Sequence, residues 1–148
     1  MLKGLSSLLT PDLLHALASM GHGDEVAIVD ANFPSSSLAK RLVTIAGAGA
    51  HEVLAAVLDV LPLDNVETPA VFTMEVRGDA DALPEPVADF AAVLADHGHG
   101  DVEIGHLERQ AFYERTREAF AVVRTGELRP YGNILLVKGT VHTAGGAG

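Results

Sequence analysis

The chain has 148 residues, of which 48% are hydrophobic, and this length and composition fit one globular domain with a sizeable core. Its 20 Asp and Glu residues outnumber its 10 Lys and Arg residues, and the net charge of -10 opposes binding to nucleic acid or to an anionic membrane surface. Because there is no cysteine, disulfides and thiolate chemistry are excluded.

Helix signals begin near the N-terminus. Thr10 is a typical helix N-cap, and the apolar residues after Pro11 recur at helical spacing until Gly21. Further on, segments rich in β-branched residues alternate with helical patterns, and DANFPSSS at 30–37 is predicted as a loop. The predicted helices are residues 11–20, 51–61, 84–98 and 108–119, and the predicted strands are residues 25–29, 41–46, 70–76, 102–107, 120–124 and 133–138.

Strands that alternate with helices predict an α/β fold in three layers, in which helices flank a mixed sheet of about six strands. The last two predicted strands are separated by the turn-rich TGELRPYG and are typical of a hairpin, so the sheet need not be wholly parallel. We expect a single domain over residues 1–148, with a flexible tail at 140–148.

The location predicted from the sequence is the cytoplasm. No apolar run approaches the roughly 20 residues that a membrane-spanning helix needs. Residues 1–15 also contain no clear signal-peptide cleavage site. We therefore expect a small-molecule partner, with neither nucleic acid nor membrane involved.

Two polar residues flank the first predicted strand, in MGHGDEVAIVDANFP at 20–34. Gly21 can take the left-handed conformation that ends a helix, which would leave the His22 side chain in a loop. His22 could be a cationic helix cap or a general acid and base, and Asp30 could form an Asx turn or bind a ligand. Neither residue alone indicates a function.

The remaining histidines and glycines do not form a familiar cofactor motif. His97, His99 and His106 lie near one another, but they lack the usual zinc-ligand spacing, so we predict no metal site. AGAGAHEV at 46–53 precedes a predicted helix, but it lacks the spacing of a dinucleotide fingerprint. The sequence also lacks a G-x-S-x-G elbow and an H-E-x-x-H motif.

Three separated segments resemble the ribose pyranase and fucose mutarotase family, RbsD/FucU. They are GHGDEVAIVDANFP, ERQAFYERTREAFAVVRTGE and PYGNILLVKG, in that order. The resemblance runs from about Leu2 to Gly139. It implies an RbsD-like fold and an isomerase without a cofactor that interconverts ring forms of a free monosaccharide.

The resemblance also assigns roles to residues. It implies that His22 transfers the proton and that the substrate-binding residues are Asp30, Arg109, Tyr131, Gly132 and Asn133. These residue types suit a sugar, because carboxylate, amide and guanidinium groups bond to hydroxyls and a tyrosine ring covers an apolar face. The alternatives are that Arg109 pairs with Glu108 or Glu114, that Tyr131 is only a turn residue, and that Tyr113 packs under its helix instead of lining the pocket.

The branch of the family is indicated by the residue two positions ahead of AFYER. Arg109 at this position, with GHGDE and YGN, resembles the fucose branch, whereas the ribose branch usually has a histidine there. We therefore expect an L-fucose mutarotase, with a D-ribose pyranase or a non-catalytic sugar-binding protein as the alternatives. Members are described as ring-shaped assemblies, commonly decamers, in which a neighbouring subunit helps to complete each site, so a homo-oligomer is implied.

Overall fold

The computed structural model describes residues 1–143, in which five helices alternate with six strands. The helices are α1 (Pro11–Ser19), α2 (Ser35–Leu38), α3 (Ala50–Leu58), α4 (Glu85–Asp96) and α5 (Arg109–Glu118). The strands are β1 (Glu25–Val29), β2 (Leu42–Ile45), β3 (Val71–Met74), β4 (Ile104–Leu107), β5 (Ala121–Thr125) and β6 (Ile134–Val137). Part of the predicted flexible tail, residues 144–148, lies outside the described residues.

The strands form one mixed sheet in the order β2-β5-β1-β6-β3-β4, which confirms the predicted fold class. Strand β6 is antiparallel to its neighbours β1 and β3, and the other pairs are parallel. The predicted hairpin of the last two strands is wrong, because β1 lies between β5 and β6. Val26 of β1 pairs with Ala121 on one side and with Leu136 on the other.

The one helix that the sequence did not predict is α2. The prediction for residues 30–37 was a loop, whereas Ser35–Leu38 form a single helical turn after Pro34. Four residues are too few to show helical periodicity, and a run of serines is typical of a loop. Leu38 is nevertheless buried and anchors this turn to the sheet.

Two apolar layers hold the helices on both faces of the sheet. On one face, α1, α3 and α4 cover β1 through residues such as Leu13, Leu54 and Phe90, which are fully buried. On the other face, α2 and α5 pack through residues such as Leu38 and Phe112. Each fully buried side chain of this size stabilises the fold by about 1.5–3 kcal/mol. Among residues 1–143, no helix is long and apolar enough to cross a membrane.

The direction of the antiparallel strand β6 determines which residues lie together at each end of the central strands. Its first residue, Ile134, pairs with Ile28 near the end of β1 and with Thr73 near the end of β3. The residues that precede β6 therefore lie beside the residues that follow β1. The carboxyl ends of parallel strands are the usual location of ligand sites in open α/β sheets.

Candidate active site

A cavity of about 360 Å³ opens where β1 and β3 end and β6 begins. Its walls include four of the predicted substrate-binding residues together with two aromatic residues, namely Asp30, Arg109, Tyr131 and Asn133, with Phe33 and Tyr113. The cavity is within the size range of small-molecule sites. Both hydrogen-bond donors and hydrogen-bond acceptors line the cavity opposite an apolar wall, and a sugar needs both kinds of group.

Asp30 is nearly buried, with 7% of its surface exposed. Its Oδ1 accepts a hydrogen bond from the backbone N–H of Asn32 at 3.0 Å, and its own N–H donates to Asn133 Oδ1 at 2.9 Å. Burial raises the pKa of Asp30, while the hydrogen bonds from Asn32 and Asn133 act in the opposite direction. Asp30 therefore both forms the Asx turn and lines the cavity.

The segment Tyr131–Asn133 carries an unusual backbone. Tyr131 has φ of 62°, in the left-handed region that side chains seldom adopt, and its hydroxyl accepts a hydrogen bond from the N–H of Arg77 at 3.1 Å. A Cβ atom on Gly132 would lie 2.7 Å from Glu127 Cγ and 3.5 Å from Asp30 Cβ. The absence of a side chain at Gly132 therefore lets this segment pack closely against the Glu127 side chain.

Residues 131–133 lie on the loop between β5 and β6, and Arg129 links this loop to helix α4. Its guanidinium donates to Glu127 at 2.9 and 3.0 Å, to Asp89 at 2.8 Å and to Glu85 at 2.9 Å. Arg129 lowers the pKa of the Glu127 carboxyl, and Glu127 and Asp89 in turn raise the pKa of Arg129. Sequence reasoning did not identify this network, although the paired charges of TGELRP were a signal for it.

Arg109 is the first residue of α5, and its side chain approaches the Tyr113 ring, with Cζ 5.7 Å from the ring centroid. The proposed glutamate partners are engaged elsewhere. Glu108 caps the helix by accepting from the N–H groups of Gln110 and Ala111, and Glu114 pairs with Arg117. Arg109 lines both the cavity and a second pocket, which it shares with residues 75–80, 108 and 110.

Tyr113 fulfils both of its expected roles. Its ring packs edge-on against Phe33, with centroids 5.2 Å apart, and it also lines the cavity. The aromatic wall of the cavity is therefore continuous with the apolar layer beneath α5.

His22 lies at the opposite end of the strands, just before β1 begins. Its Nε2 is 3.0 Å from Asp64 Oδ1, and its side chain is 47% exposed. It does not cap α1, because Lys138 Nζ donates to the carbonyl groups of Leu17 and Met20 at 2.8 and 2.6 Å. The left-handed glycine is Gly23, with φ of 88°, and not Gly21 as expected.

The structure thus brings five of the six predicted site residues together and leaves His22 apart. His22 lines a separate cavity of about 280 Å³. Strand β1 separates it from Asp30, and five extended residues alone span about 16 Å. Within one chain, these two side chains cannot contact the same monosaccharide.

The histidines at 97, 99 and 106 do not converge on a metal site. His97 Nδ1 bonds to the Val93 carbonyl at 2.8 Å and its Nε2 contacts Asp59 Oδ1 at 3.0 Å, whereas His106 Nδ1 contacts Thr73 Oγ1 at 2.8 Å. In the part of the chain that the structure describes, no three His, Asp or Glu side chains are grouped to hold a metal ion.

Comparison with known proteins gives consistent matches over nearly the whole chain. The model of the RbsD / FucU transport protein family matches residues 3–141. A fucose mutarotase from Danio rerio is 44% identical over 144 residues, which cover 95% of this chain and 94% of the relative.

Two solved structures with bound sugars resemble this fold. The structure of the fucose mutarotase in complex with L-fucose from Streptococcus pneumoniae matches with a TM-score of 0.90 and 38% identity, covering 95% of this chain and 100% of that one. Bacillus subtilis RbsD complexed with D-ribose matches with a TM-score of 0.73 and 25% identity, covering 96% and 100%. The chain is thus more similar to the fucose-bound protein than to the ribose-bound one.

Proposed function

The chain belongs to the RbsD/FucU family, as its three motifs predict, and we propose that it is an isomerase that interconverts the α and β anomers of L-fucose. The observation that carries this proposal is the cavity in which Asp30, Arg109, Tyr131 and Asn133 meet. It occurs in a chain that is 44% identical, over nearly its whole length, to a fucose mutarotase.

The cavity supplies complementary groups for a monosaccharide. The Asp30 carboxylate accepts hydrogen bonds from sugar hydroxyls, and the Arg109 guanidinium donates two parallel bonds to adjacent oxygens. The Tyr131 ring covers an apolar face of the sugar. Because Asp30 is fixed by Asn32 and Asn133, its carboxylate is already oriented before the sugar binds.

Mutarotation needs proton transfers and no redox chemistry. A proton leaves the anomeric hydroxyl, C1 and O1 become a carbonyl group, and the bond from C1 to the ring oxygen breaks with its electron pair on that oxygen, which takes up a proton. Rotation about the bond between C1 and C2, followed by the reverse steps, closes the ring as the other anomer. An imidazole suits these transfers near neutral pH and typically accelerates them by about 10²- to 10⁴-fold. We assign this role to His22.

Because His22 and Asp30 lie at opposite ends of strand β1, the proposed enzyme is a homo-oligomer with sites between subunits. One subunit contributes Asp30, Arg109, Tyr131, Gly132 and Asn133, and its neighbour contributes His22. A closed decameric ring satisfies every site in this way. The proposed location is the cytoplasm, where proteins rarely contain disulfides, and a chain without cysteine is consistent with this location.

The test is saturation-transfer NMR on the anomeric protons of L-fucose, with D-ribose and D-galactose as comparators. We expect the wild type to accelerate anomeric exchange of fucose and His22→Ala to abolish the acceleration. The matched control is His15→Ala, which removes an exposed histidine from α1 and should leave the rate unchanged.

Two other outcomes would redirect the proposal. Faster interconversion of ribose pyranose and furanose forms than of fucose anomers would favour the D-ribose pyranase. Broadened or shifted sugar signals without accelerated exchange of any sugar would favour a non-catalytic sugar-binding protein.

A further inference from the structure

We propose that Asp64 is a positioning residue for His22, which holds the imidazole with its proton on Nε2 and leaves Nδ1 as the atom that exchanges a proton with the sugar. The inference rests on the proposed function, in which His22 transfers the proton. It adds a second residue and a defined ring nitrogen to that function.

The two side chains in this contact differ in their exposure to solvent. His22 Nε2 lies 3.0 Å from Asp64 Oδ1, and the Asp64 side chain is only 4% exposed, whereas the His22 side chain is 47% exposed. Within residues 1–143, no other polar group bonds to the His22 ring. Nε2 is therefore occupied by the protein, and Nδ1 is the nitrogen available to a ligand.

Asp64 is itself held in place by backbone groups. Its Oδ1 accepts from the N–H of Val66 at 3.1 Å, its Oδ2 accepts from the N–H of Glu67 at 3.4 Å, and its own N–H donates to the Val137 carbonyl at 3.0 Å. The loop that presents Asp64 is thereby tied to β6, the neighbour of β1.

The tautomer of His22 follows from the charge of Asp64. The hydrogen bonds from His22 and from the Val66 N–H keep the pKa of the Asp64 carboxyl below its usual range. An ionised carboxylate can only accept, so His22 Nε2 must carry the proton that it shares with Asp64. In either direction of transfer, Nδ1 gains one proton from the anomeric hydroxyl or gives one to the ring oxygen, and the proton on Nε2 stays in place.

The carboxylate also stabilises the positive charge that the ring acquires when Nδ1 is protonated. Five other charged residues lie near His22, namely Asp24, Glu25, Glu67, Arg115 and Lys138. Arg115 and Glu25 bond to each other at 2.9 and 3.2 Å, and Asp24 accepts from the Gly21 N–H at 2.7 Å. Lys138 is engaged by two carbonyl groups of α1 and the residue after it, and Glu67 is exposed. Asp64 is thus the charged group in direct contact with the imidazole.

The test combines a measurement without substrate and a measurement with substrate. Nitrogen-15 NMR of the free protein reports the tautomer of His22, and saturation-transfer NMR reports kcat and KM for L-fucose across pH. The variants are Asp64→Ala, Asp64→Asn and, as a control, Glu67→Gln, which removes a carboxylate from the same loop without removing a contact to His22.

We expect the wild type and Glu67→Gln to show the proton on Nε2, and Asp64→Ala to lose this preference. Asp64→Ala should lower kcat by about 10- to 100-fold with little change in KM, the usual effect of removing a partner that orients a functional histidine. Asp64→Asn keeps an acceptor but loses the charge, so it should retain the tautomer and shift the acid limb of the rate profile to lower pH.

Three results would overturn the inference. They are a wild-type His22 with its proton on Nδ1, unchanged kcat in both Asp64 variants, and an unchanged pH profile in Asp64→Asn. If Asp64→Ala does not fold, the wild-type tautomer and the Asp64→Asn profile still decide the question. A wild type without fucose exchange would overturn the proposed function, whereas the tautomer measurement would still decide whether Asp64 orients the imidazole.

Discussion

Asp30 is a residue whose charge is opposed by its surroundings. Because burial raises its pKa above 3.8, the folded state binds protons that the unfolded state releases. The free energy of unfolding associated with Asp30 therefore falls as pH rises through the interval between 3.8 and the raised pKa. At neutral pH the carboxylate costs stability, which is consistent with the binding role proposed for Asp30.

Replacement of Asp30 by asparagine separates these two roles. Asp30→Asn keeps the shape and the acceptor for the Asn32 N–H, so we expect stability at pH 7 equal to or above that of the wild type, with the difference shrinking towards pH 4. Affinity for the sugar should fall about 10- to 100-fold, because hydrogen bonds to a charged acceptor are lost. Urea unfolding at both pH values and a sugar titration by NMR measure the two effects. A loss of stability at pH 7 with unchanged affinity would show that Asp30 serves only its turn.

At the scale of elements, the loop between β5 and β6 is held by charge and not by apolar packing. Arg129 joins Glu127 of this loop to Asp89 and Glu85 of α4. Glu127 is 6% exposed, so its carboxylate depends on the guanidinium for compensation. The same loop carries Tyr131, with its left-handed backbone, to the cavity. The geometry of the site thus depends on an ion network outside it.

Removal of the Arg129 guanidinium should therefore affect both stability and binding. We expect Arg129→Met to lower the free energy of unfolding by about 1–3 kcal/mol, because a buried carboxylate loses its partner. Sugar affinity should fall as well, although Arg129 does not line the cavity. Arg117→Met is the matched control: its pair with Glu114 is exposed, and its loss should cost less than about 0.5 kcal/mol. Equal effects of the two variants in urea unfolding would contradict the role of the network.

Helices α3 and α4 are joined by a histidine whose two ring nitrogens both face acceptors. His97 Nδ1 bonds to the Val93 carbonyl, and Nε2 contacts Asp59. Both nitrogens can donate only when the ring is protonated, and the pKa of His97 is raised, first by the Val93 carbonyl and then by Asp59. The HGHG segment therefore has a structural role at the end of α4.

This arrangement predicts a pH dependence of stability with a definite sign. Because the folded pKa of His97 lies above 6.5, its stabilising contribution is complete below pH 6.5 and is lost as pH rises through the folded pKa. The difference in urea midpoint between the wild type and His97→Gln should therefore be larger at pH 6 than at pH 9. His15→Gln on the exposed face of α1 provides the control and should show no such trend. A difference that grows towards pH 9 would refute the assignment.

Elements with strong local signals could be predicted from the sequence, and those fixed by tertiary contacts could not. The four predicted helices and six strands all occur, within about three residues at each end, because capping residues and apolar periodicity are local. Helix α2 has only four residues, too few for a periodic signal. The hairpin prediction was wrong because β1, distant in sequence, inserts between β5 and β6.

The candidate site divides in the same way. Asp30 and the segment 131–133 were assigned together through motifs, and the antiparallel placement of β6 brings them together. Asp64 was not identified, because the loop DNVET carries no motif that pairs it with a histidine 42 residues earlier. The separation of His22 from Asp30 depends on strand direction, which the sequence pattern does not specify.

At the scale of the whole molecule, the proposed function divides one site into two halves that lie apart in each chain. The end of the sheet after β1 carries the proposed sugar-binding groups, and the end before β1 carries an exposed imidazole with its carboxylate. These two ends cannot come together within one chain, because the buried central strand β1 holds them apart. In the proposed oligomer, association of chains through unlike surfaces joins the halves, and such contacts form a ring when the rotation between subunits closes.

Mixed oligomers test this arrangement directly. At a fucose concentration well below KM, His22→Ala should be inactive and Asp30→Asn should be slower than the wild type by about 10- to 100-fold, but a mixture that has exchanged subunits should regain activity. In a random mixture, about a quarter of the sites combine an intact His22 from one variant with an intact Asp30 from the other. The measurement is fucose exchange by NMR before and after dissociation and reassembly of the mixed proteins, with each variant treated alone as the control. If both residues of one chain served the same site, every site in the mixture would carry one defect and no activity would return.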